Sequence, residues 1–389
     1  MNEKKRVLVL GAEGLGAGIR SEEMIKALGK SNFEVKVMQM RGFSPRSFHG
    51  IWRCLFSTFN STRDSSSEGV LSLKDLLSLA GDPQTAYLLM KGQGFGQQLL
   101  RVADKFDLIV AETTFMGIFA KLLKEDYGIP YVLDMHGLYA KEYAGLHEHD
   151  NHRIERVFEK LERSVVQEAA RVIAVSETMK QFVCTYYNKS SKNVIVHRNG
   201  TRAYGKVAKF GQPVRFVFGG AFTYWERPQD FLALAQVLGE SDCTFKLFGE
   251  GPLRKELANS IREKSLRIEF GKSVSRQDAM RIFSESHIGV APSSTDIARQ
   301  VAWPIKIMDY AACGLPILAQ DVGEWSGIIS SYGMGECVDF ANHEELAKVA
   351  QGMCSKSEWE RMSRNAIDAA KGPFSWDVVF EDLSSTVDI

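Results

Sequence analysis

The feature that most constrains this chain is a series: short, β-branched apolar runs recur, and segments of helical spacing separate them. "RVLVLGA", "EVKVMQM", "DLIVAET", "YVLDMHG", "RVIAVSE" and "NVIVHRNG" fill the first half. Runs without polar alternation suit strands covered on both faces, which is the condition of a parallel sheet. Parallel neighbours need crossover helices, and the patterns at Ser21–Leu28 and in the charged stretch Asp150–Ala169 supply them. After a polar, strand-poor stretch, "TRAYGKVAKFGQP", the series restarts with "VRFVFGGA", "TFKLFGE", "RIEFGK", "IGVAPS", "PILAQD" and "ECVDF". The pattern predicts two Rossmann-like, doubly wound α/β domains facing a cleft, over 1–203 and 204–371 and joined near 201–213. In the remainder, 372–389, Trp376, Val379, Phe380 and Leu383 have the spacing of one more helix.

With 389 residues the chain can bury large cores, and its 48 basic residues cancel its 48 acidic ones. No global field recruits nucleic acid or a membrane, so any anion site must be local. The six cysteines are scattered, without a Cys-x-x-Cys pair or histidines at metal spacing, and read as reduced core thiols. The N-terminus enters a strand within a few residues and no run approaches the roughly 18 apolar residues of a membrane span. A cytoplasmic protein, at most peripheral at the cytosolic face of a membrane, is expected.

In open α/β sheets ligands bind beyond the carboxyl ends of strands, so function is sought in the loops there. "GAEGLGAGIR", Gly11 to Arg20, follows the first strand. It lacks the Gly-x-Gly-x-x-Gly spacing of dinucleotide sites, and the second strand ends without a ribose-holding acid. Gly14, Gly16 and Gly18 are therefore read as leaving room for a substrate at the cleft, with Arg20 closing the same loop, the alternative being a tight turn. "DMHG" ends another strand, where His136 can donate to a sugar hydroxyl or shuttle a proton, or be structural. "FGEGPLRKEL" brings Gly249 and Glu250 to a strand end, with Pro252 at a plausible first helical position. "PIKIMDYAACGLP" reads as a helix opened by Pro304 and capped by Gly314, with Lys306 and Asp309 at i and i+3 on one face. There a lysine can neutralise a diphosphate while a carboxylate accepts from both ribose hydroxyls. The alternative is an ion pair between the two.

Together "GAGIRSEEMIKAL", "DMHG", "ARVIAVSETMKQF", "RNGT", "GGAFTYWERPQDFL", "LFGEGPLRKEL", "IEFGKSVSRQDAMRIFSESHIGVAPS", "PIKIMDYAACGLPILA" and "FSWDVVFEDL" resemble, in that order, the retaining glycosyltransferases of the GT-B fold known as family 4 or glycosyltransferase group 1. The resemblance implies a C-terminal domain that binds a nucleotide-diphosphate sugar, an N-terminal domain for a glycan or lipid-linked acceptor, and a last helix that crosses back to the first domain. It implies that Asp309 holds the ribose, Lys306 lies by the diphosphate and His136 touches the donor sugar.

This chain departs from that pattern in two places. Family members commonly carry two glutamates separated by seven residues; here the second is Asp309, Val301 stands at the first, and Asp296 is the nearest upstream carboxylate. Ala221 stands where an arginine is usual, leaving Arg227 as the nearby charge, with Arg299 sharing the diphosphate with Lys306. No Asp-x-Asp pair holds a divalent metal, so metal-independent transfer without a cofactor is expected. A nucleotide-sugar epimerase, a phosphorylase on the same fold and a non-catalytic sugar-nucleotide-binding subunit are the competing readings.

"RGFSPRSFHGIWRCLFSTFN", within 41–60, interleaves Arg41, Arg46 and Arg53 with Phe43, Phe48, Trp52, Phe56 and Phe59. Such a mixture suits lipid headgroups as well as a core. Weak, reversible sedimentation with anionic vesicles is expected, and it should vanish when Trp52 and Phe56 become serine in a folded protein. No association of the unaltered chain would leave the aromatics to a core.

Overall fold

In the computed structural model the described residues are 4–12, 18–40, 98–99, 101–146, 152–239 and 242–389. They form two compact units, Met1–His197 with Phe380–Ile389, and Arg198–Val379. Each unit is built on a six-stranded parallel sheet. The first contains β1 (Lys5–Ala12), β2 (Phe33–Met40), β3 (Leu108–Glu112), β4 (Tyr131–Met135), β5 (Arg171–Ala174) and β6 (Val194–Val196), in the order β2-β1-β3-β4-β5-β6. The second contains β7 (Val214–Ala221), β8 (Cys243–Glu250), β9 (Ile268–Gly271), β10 (Ile288–Ala291), β11 (Ile317–Gln320) and β12 (Gly335–Val338), in the order β12-β11-β10-β7-β8-β9. The twelve apolar runs named from the sequence are these strands.

Both orders reverse direction once. In the first unit the reversal lies between β1 and β3, in the second between β7 and β10. At such a switch point the helices leave to opposite faces, and a crevice opens outside the carboxyl ends of the strands.

Burial explains the run composition. Val7 to Leu10 of β1 and Val110 and Ala111 of β3 are wholly inaccessible, as expected of strands covered by helices on both sides. The second core is aromatic: Phe216, Phe218, Phe222, Phe231 and Phe245 pack together between β7, β8 and helix Pro228–Leu238. A carboxylate is buried in the first unit too. Glu162, on helix His152–Glu168, accepts from Thr114 Oγ1 (3.0 Å), Ala140 N (3.2 Å) and Tyr187 Oη (3.0 Å), so its isolation from water is met by donors.

Several expected boundaries move. The first unit ends at His197 rather than 203, because Thr201 N donates to Phe374 O (2.7 Å) and Trp376 N to Thr201 O (3.2 Å), which ties 201 to the second unit. The tail is two short helices, Trp376–Val379 and Leu383–Val387, with the division between units falling between them. Helix Arg254–Glu263 starts after Leu253, so Pro252 precedes it instead of opening it. Residues 41–60, Gly14 and Gly16 lie outside the described residues. Among the described residues no helix is long and apolar enough to cross a membrane.

Candidate functional site

In the second unit, charge gathers at the carboxyl ends of β7 and β10. Helix Ile305–Ala312 begins after Pro304, and Gly314, at φ +67°, ends it in the left-handed region. Lys306, in its first turn, sits 3.8 Å from the centre of the Phe218 ring and over Gly220, where a β-carbon would come within 3.1 Å of Lys306 Nζ. Lys306 Nζ donates to Glu226 Oε2, and Arg299 Nη2 lies 3.3 Å from Glu226 Oε1. Glu226 is held in place by its own loop, since Ser294 N donates to Trp225 O (2.9 Å) and Arg299 Nε to Ser293 Oγ (3.1 Å).

Burial pushes the Glu226 carboxyl up, but Lys306 and Arg299 outweigh it and hold it below the usual range. Burial also lowers the Lys306 ammonium, which the Glu226 carboxylate offsets only in part. Two cations thus share one carboxylate in a largely dry place.

Asp309 faces a different partner. Arg276 Nη1 and Nη2 donate to Asp309 Oδ2 (2.8 Å) and Oδ1 (2.6 Å), a two-pronged pair. Burial raises the Asp309 carboxyl in spite of Arg276. Lys306 and Asp309 share a helix face without pairing, so the ion pair weighed from their spacing does not form.

The other residues singled out in this half divide in the same way. Asp296 caps helix Ile297–Gln300, its Oδ1 accepting from Arg299 N (3.2 Å) and its Oδ2 from Ser294 Oγ (2.5 Å), which positions Arg299. Arg227, in the left-handed region at φ +44°, turns away to Asp230, donating from Nε (2.6 Å) and Nη2 (3.0 Å). It does not join Lys306. Gly249, at φ +157°, lets β8 approach β7 so closely that a β-carbon would lie 1.9 Å from Gly220 O. Arg254 staples that turn, donating to Gly249 O (2.8 Å) and lying 3.5 Å from Glu250 Oε1. Val301 is fully buried and Ala221 is exposed at the end of β7.

In the first unit the centre is Asp134, at the end of β4. Arg20, on helix Gly18–Gly29, donates from Nε to Asp134 Oδ2 (2.9 Å) and from Nη2 to Oδ1 (2.7 Å), and both residues are all but inaccessible. His136 Nε2 lies 2.7 Å from Asp134 Oδ2. Burial would raise the Asp134 carboxyl, yet Arg20 and His136 hold it well below the usual carboxylate range. An ionised Asp134 only accepts, which assigns the proton to His136 Nε2. Arg20 also stacks over Phe380, 5.3 Å from the ring centre, so the end of the chain covers this pair.

Glu112, in register with Asp134 on the neighbouring strand, went unremarked in the sequence. Ser21 Oγ donates to its Oε2 (2.6 Å), while Oε1 is buried without a partner among the described residues. An unmade bond at a buried oxygen costs on the order of 1–3 kcal/mol. Burial first, and Asp134 beside it, push this carboxyl up to about 7 against the pull of Ser21, His136 and Arg20. Glu226 and Arg276 were also missed. Their only sequence signal is a charged residue just beyond a strand end or at a helix start, which many surface positions share.

Comparison with known proteins identifies the family and the fold. Residues 16–202 match the family model described as Glycosyltransferase Family 4, and residues 202–371 that described as Glycosyl transferases group 1. An uncharacterized glycosyltransferase of Methanocaldococcus jannaschii is 22% identical over 300 residues, 72% of this chain and 74% of its own length. A sucrose-phosphate synthase from Thermosynechococcus elongatus has a similar fold, with a TM-score of 0.70 at 14% identity over 98% of both chains. Anabaena HepE, in a structure with UDP-glucose, is similar at a TM-score of 0.69 and 15% identity, again over 98% of both chains.

The Glu112 environment sets a pH dependence of stability. Its pKa is about 7 in the fold against an ordinary 4.5, so the folded state keeps a proton that the unfolded chain releases. The stabilisation is fully present below about pH 4.5 and is lost as the pH rises through about 7. Glu112→Gln removes this term, so the variant should gain on the unaltered protein by roughly 2–3 kcal/mol between about pH 4.5 and 8. Calorimetric melting at both ends of that window checks it; a constant difference would show that Glu112 titrates normally.

Proposed function

This chain belongs to the GT-B glycosyltransferases of the family 4 and group 1 type, and from that premise we propose that it transfers a hexosyl unit from a nucleotide-diphosphate sugar to a glycan or lipid-linked acceptor, with retention and without a metal ion. Assembly of a polysaccharide is the corresponding role. The observation that carries this reading is the convergence of Lys306 and Arg299 on Glu226 at the switch point of the second sheet. A carboxylate held by two cations marks an anion site, here filled from within. A diphosphate carries more charge and more acceptor oxygens than Glu226, and it can take the same cations.

The chemistry follows from where charge develops. As the anomeric C–O bond breaks, its electron pair goes to the leaving phosphate oxygen, and fixed cations aimed at that oxygen lower the barrier. Lys306 and Arg299 supply them without solvent reorganisation, because the loop around Trp225 and the cap at Asp296 already hold them. Asp309, buried on the same helix face, would accept from the ribose hydroxyls in exchange for Arg276. The fully buried Val301 favours one second reading, a subunit that binds the donor without catalysis.

A thermal-shift screen of nucleotide-diphosphate sugars, beginning with UDP-glucose because HepE is similar and was solved with it, tests binding by mass action. Release of the nucleoside diphosphate only in the presence of an acceptor would exclude an epimerase, and binding without any release would select the non-catalytic subunit. Lys306→Ala should lower turnover about ten- to hundred-fold, the equivalent of a charge-assisted contact of roughly 1.5–3 kcal/mol. Turnover should suffer more than binding, since the charge grows toward the transition state. Asp309→Asn should raise the donor KM with a smaller effect on turnover. Unchanged kinetics in both variants would remove this helix from the active site.

A further inference from the structure

The cation pair of the second unit is met by a side chain that is built to leave. Lys306 and Arg299 each have an anchor besides Glu226: Lys306 lies over the Phe218 ring, and Arg299 Nε donates to Ser293 Oγ (3.1 Å). Both therefore keep their places without the carboxylate. Glu226 has no second anchor, for among the described residues its two oxygens meet those cations alone. The backbone that carries it is pinned on both sides, Trp225 O accepting from Ser294 N (2.9 Å) and Thr223 O from Arg227 N (3.2 Å). The Glu226 side chain can thus turn away by rotation about its own bonds, with no change of fold. Tyr224, two residues before it, is 52% exposed, so this turn borders solvent.

We propose that Glu226 is a latch on the anion site: its carboxylate competes with the diphosphate for Lys306 and Arg299, so that donor and released nucleoside diphosphate bind only when it swings out. This rests on the transferase reading above and adds a control of that same site. Charge gives the direction of the exchange. Two cations against one carboxylate leave a surplus of positive charge, and a diphosphate, with more than one negative charge and more acceptor oxygens, neutralises it more fully. In the closed position Glu226 spares two buried cations from facing each other uncompensated. It lowers ligand affinity by the fraction of time that it stays closed.

The latch answers to anions and not to acid. Burial pushes the Glu226 carboxyl up, but Lys306 and Arg299 outweigh burial and hold it below the usual range, so near neutral pH it stays ionised and only a competing anion dislodges it.

Calorimetric titration of the full chain with inorganic pyrophosphate and with UDP tests this. A latch closed about nine-tenths of the time lowers affinity about tenfold. Glu226→Gln, which keeps the shape without the charge, should therefore bind both probes about tenfold more tightly than the unaltered protein. Such a gain is a result that damage to the fold cannot produce. Glu226→Asp keeps the charge that offsets the cations, and so serves even where the neutral variant fails to fold. Its carboxylate is drawn back by one methylene, and its affinity should lie between those of the unaltered protein and Glu226→Gln. Melting curves establish that each variant is folded. Weaker binding in both variants would mean that Glu226 only holds the cations in place for the donor, and it overturns the proposal. Unchanged affinity in both, or pyrophosphate that binds none of the three proteins, overturns it as well. A thermal shift with UDP-glucose reports on the donor reading separately: no shift in any of the three counts against that reading, while the pyrophosphate series alone decides the latch.

Discussion

A strand covered on both faces can place a polar side chain only at its end. That constraint organises both units. Val7 to Leu10 of β1 and Val110 and Ala111 of β3 leave no room for charge at the covered centre of the first sheet, and the buried ionised groups of both units gather where β3, β4, β7 and β10 stop. The same burial that collects them strips away water, and each must then find an opposite charge or lose its ionisation. Arg20 with Asp134, Arg276 with Asp309, and Lys306 and Arg299 with Glu226 are the solutions adopted. Deleting one partner of such a pair is worse than replacing both, because the survivor is left charged in a dry place.

The two units balance these charges differently, and the difference carries the functional reading. In the first, Arg20 and Asp134 close on each other and the leftover group is an acid, Glu112, with one oxygen unmatched among the described residues. In the second, two cations meet one carboxylate, and the leftover is positive. Surplus positive charge at the start of a helix suits a phosphate.

Fold was legible in the sequence because it depends on local composition: unbroken β-branched runs, helical spacing between them, and a proline and glycine that bracket helix Ile305–Ala312. The site was legible only in part. Lys306, Asp309, Arg299 and His136 announce themselves by their place after strands, but what each of them touches does not. Glu226 lies 80 positions before Lys306, Arg276 33 before Asp309, and Asp134 114 after Arg20. Spacing within a helix offered Lys306 and Asp309 as partners for each other. Long-range packing offered each a better-aimed partner, and Arg227, chosen for its charge, found Asp230 one helical turn away. The single helix expected of the tail failed for the converse reason: apolar spacing held across Trp376 and Phe380, although those two residues are buried in different units.

Glu112 and Asp134 show how far register alone can divide roles. They are neighbours across one parallel pair, both buried, both carboxylates. Like charges that close cannot both ionise without a cation to separate them. Arg20 offers its fork to the shorter side chain, and His136 adds a second bond, so Asp134 keeps its charge. Glu112 is pushed up first by burial and then by the field of its charged neighbour, and the one hydroxyl it receives from Ser21 does not offset them, so it holds a proton until near neutrality. Environments that push two adjacent acids apart in this way separate a fixed charge from a titrating one. In the first unit the fixed charge orients His136, and the titrating one ties the unit's stability to pH.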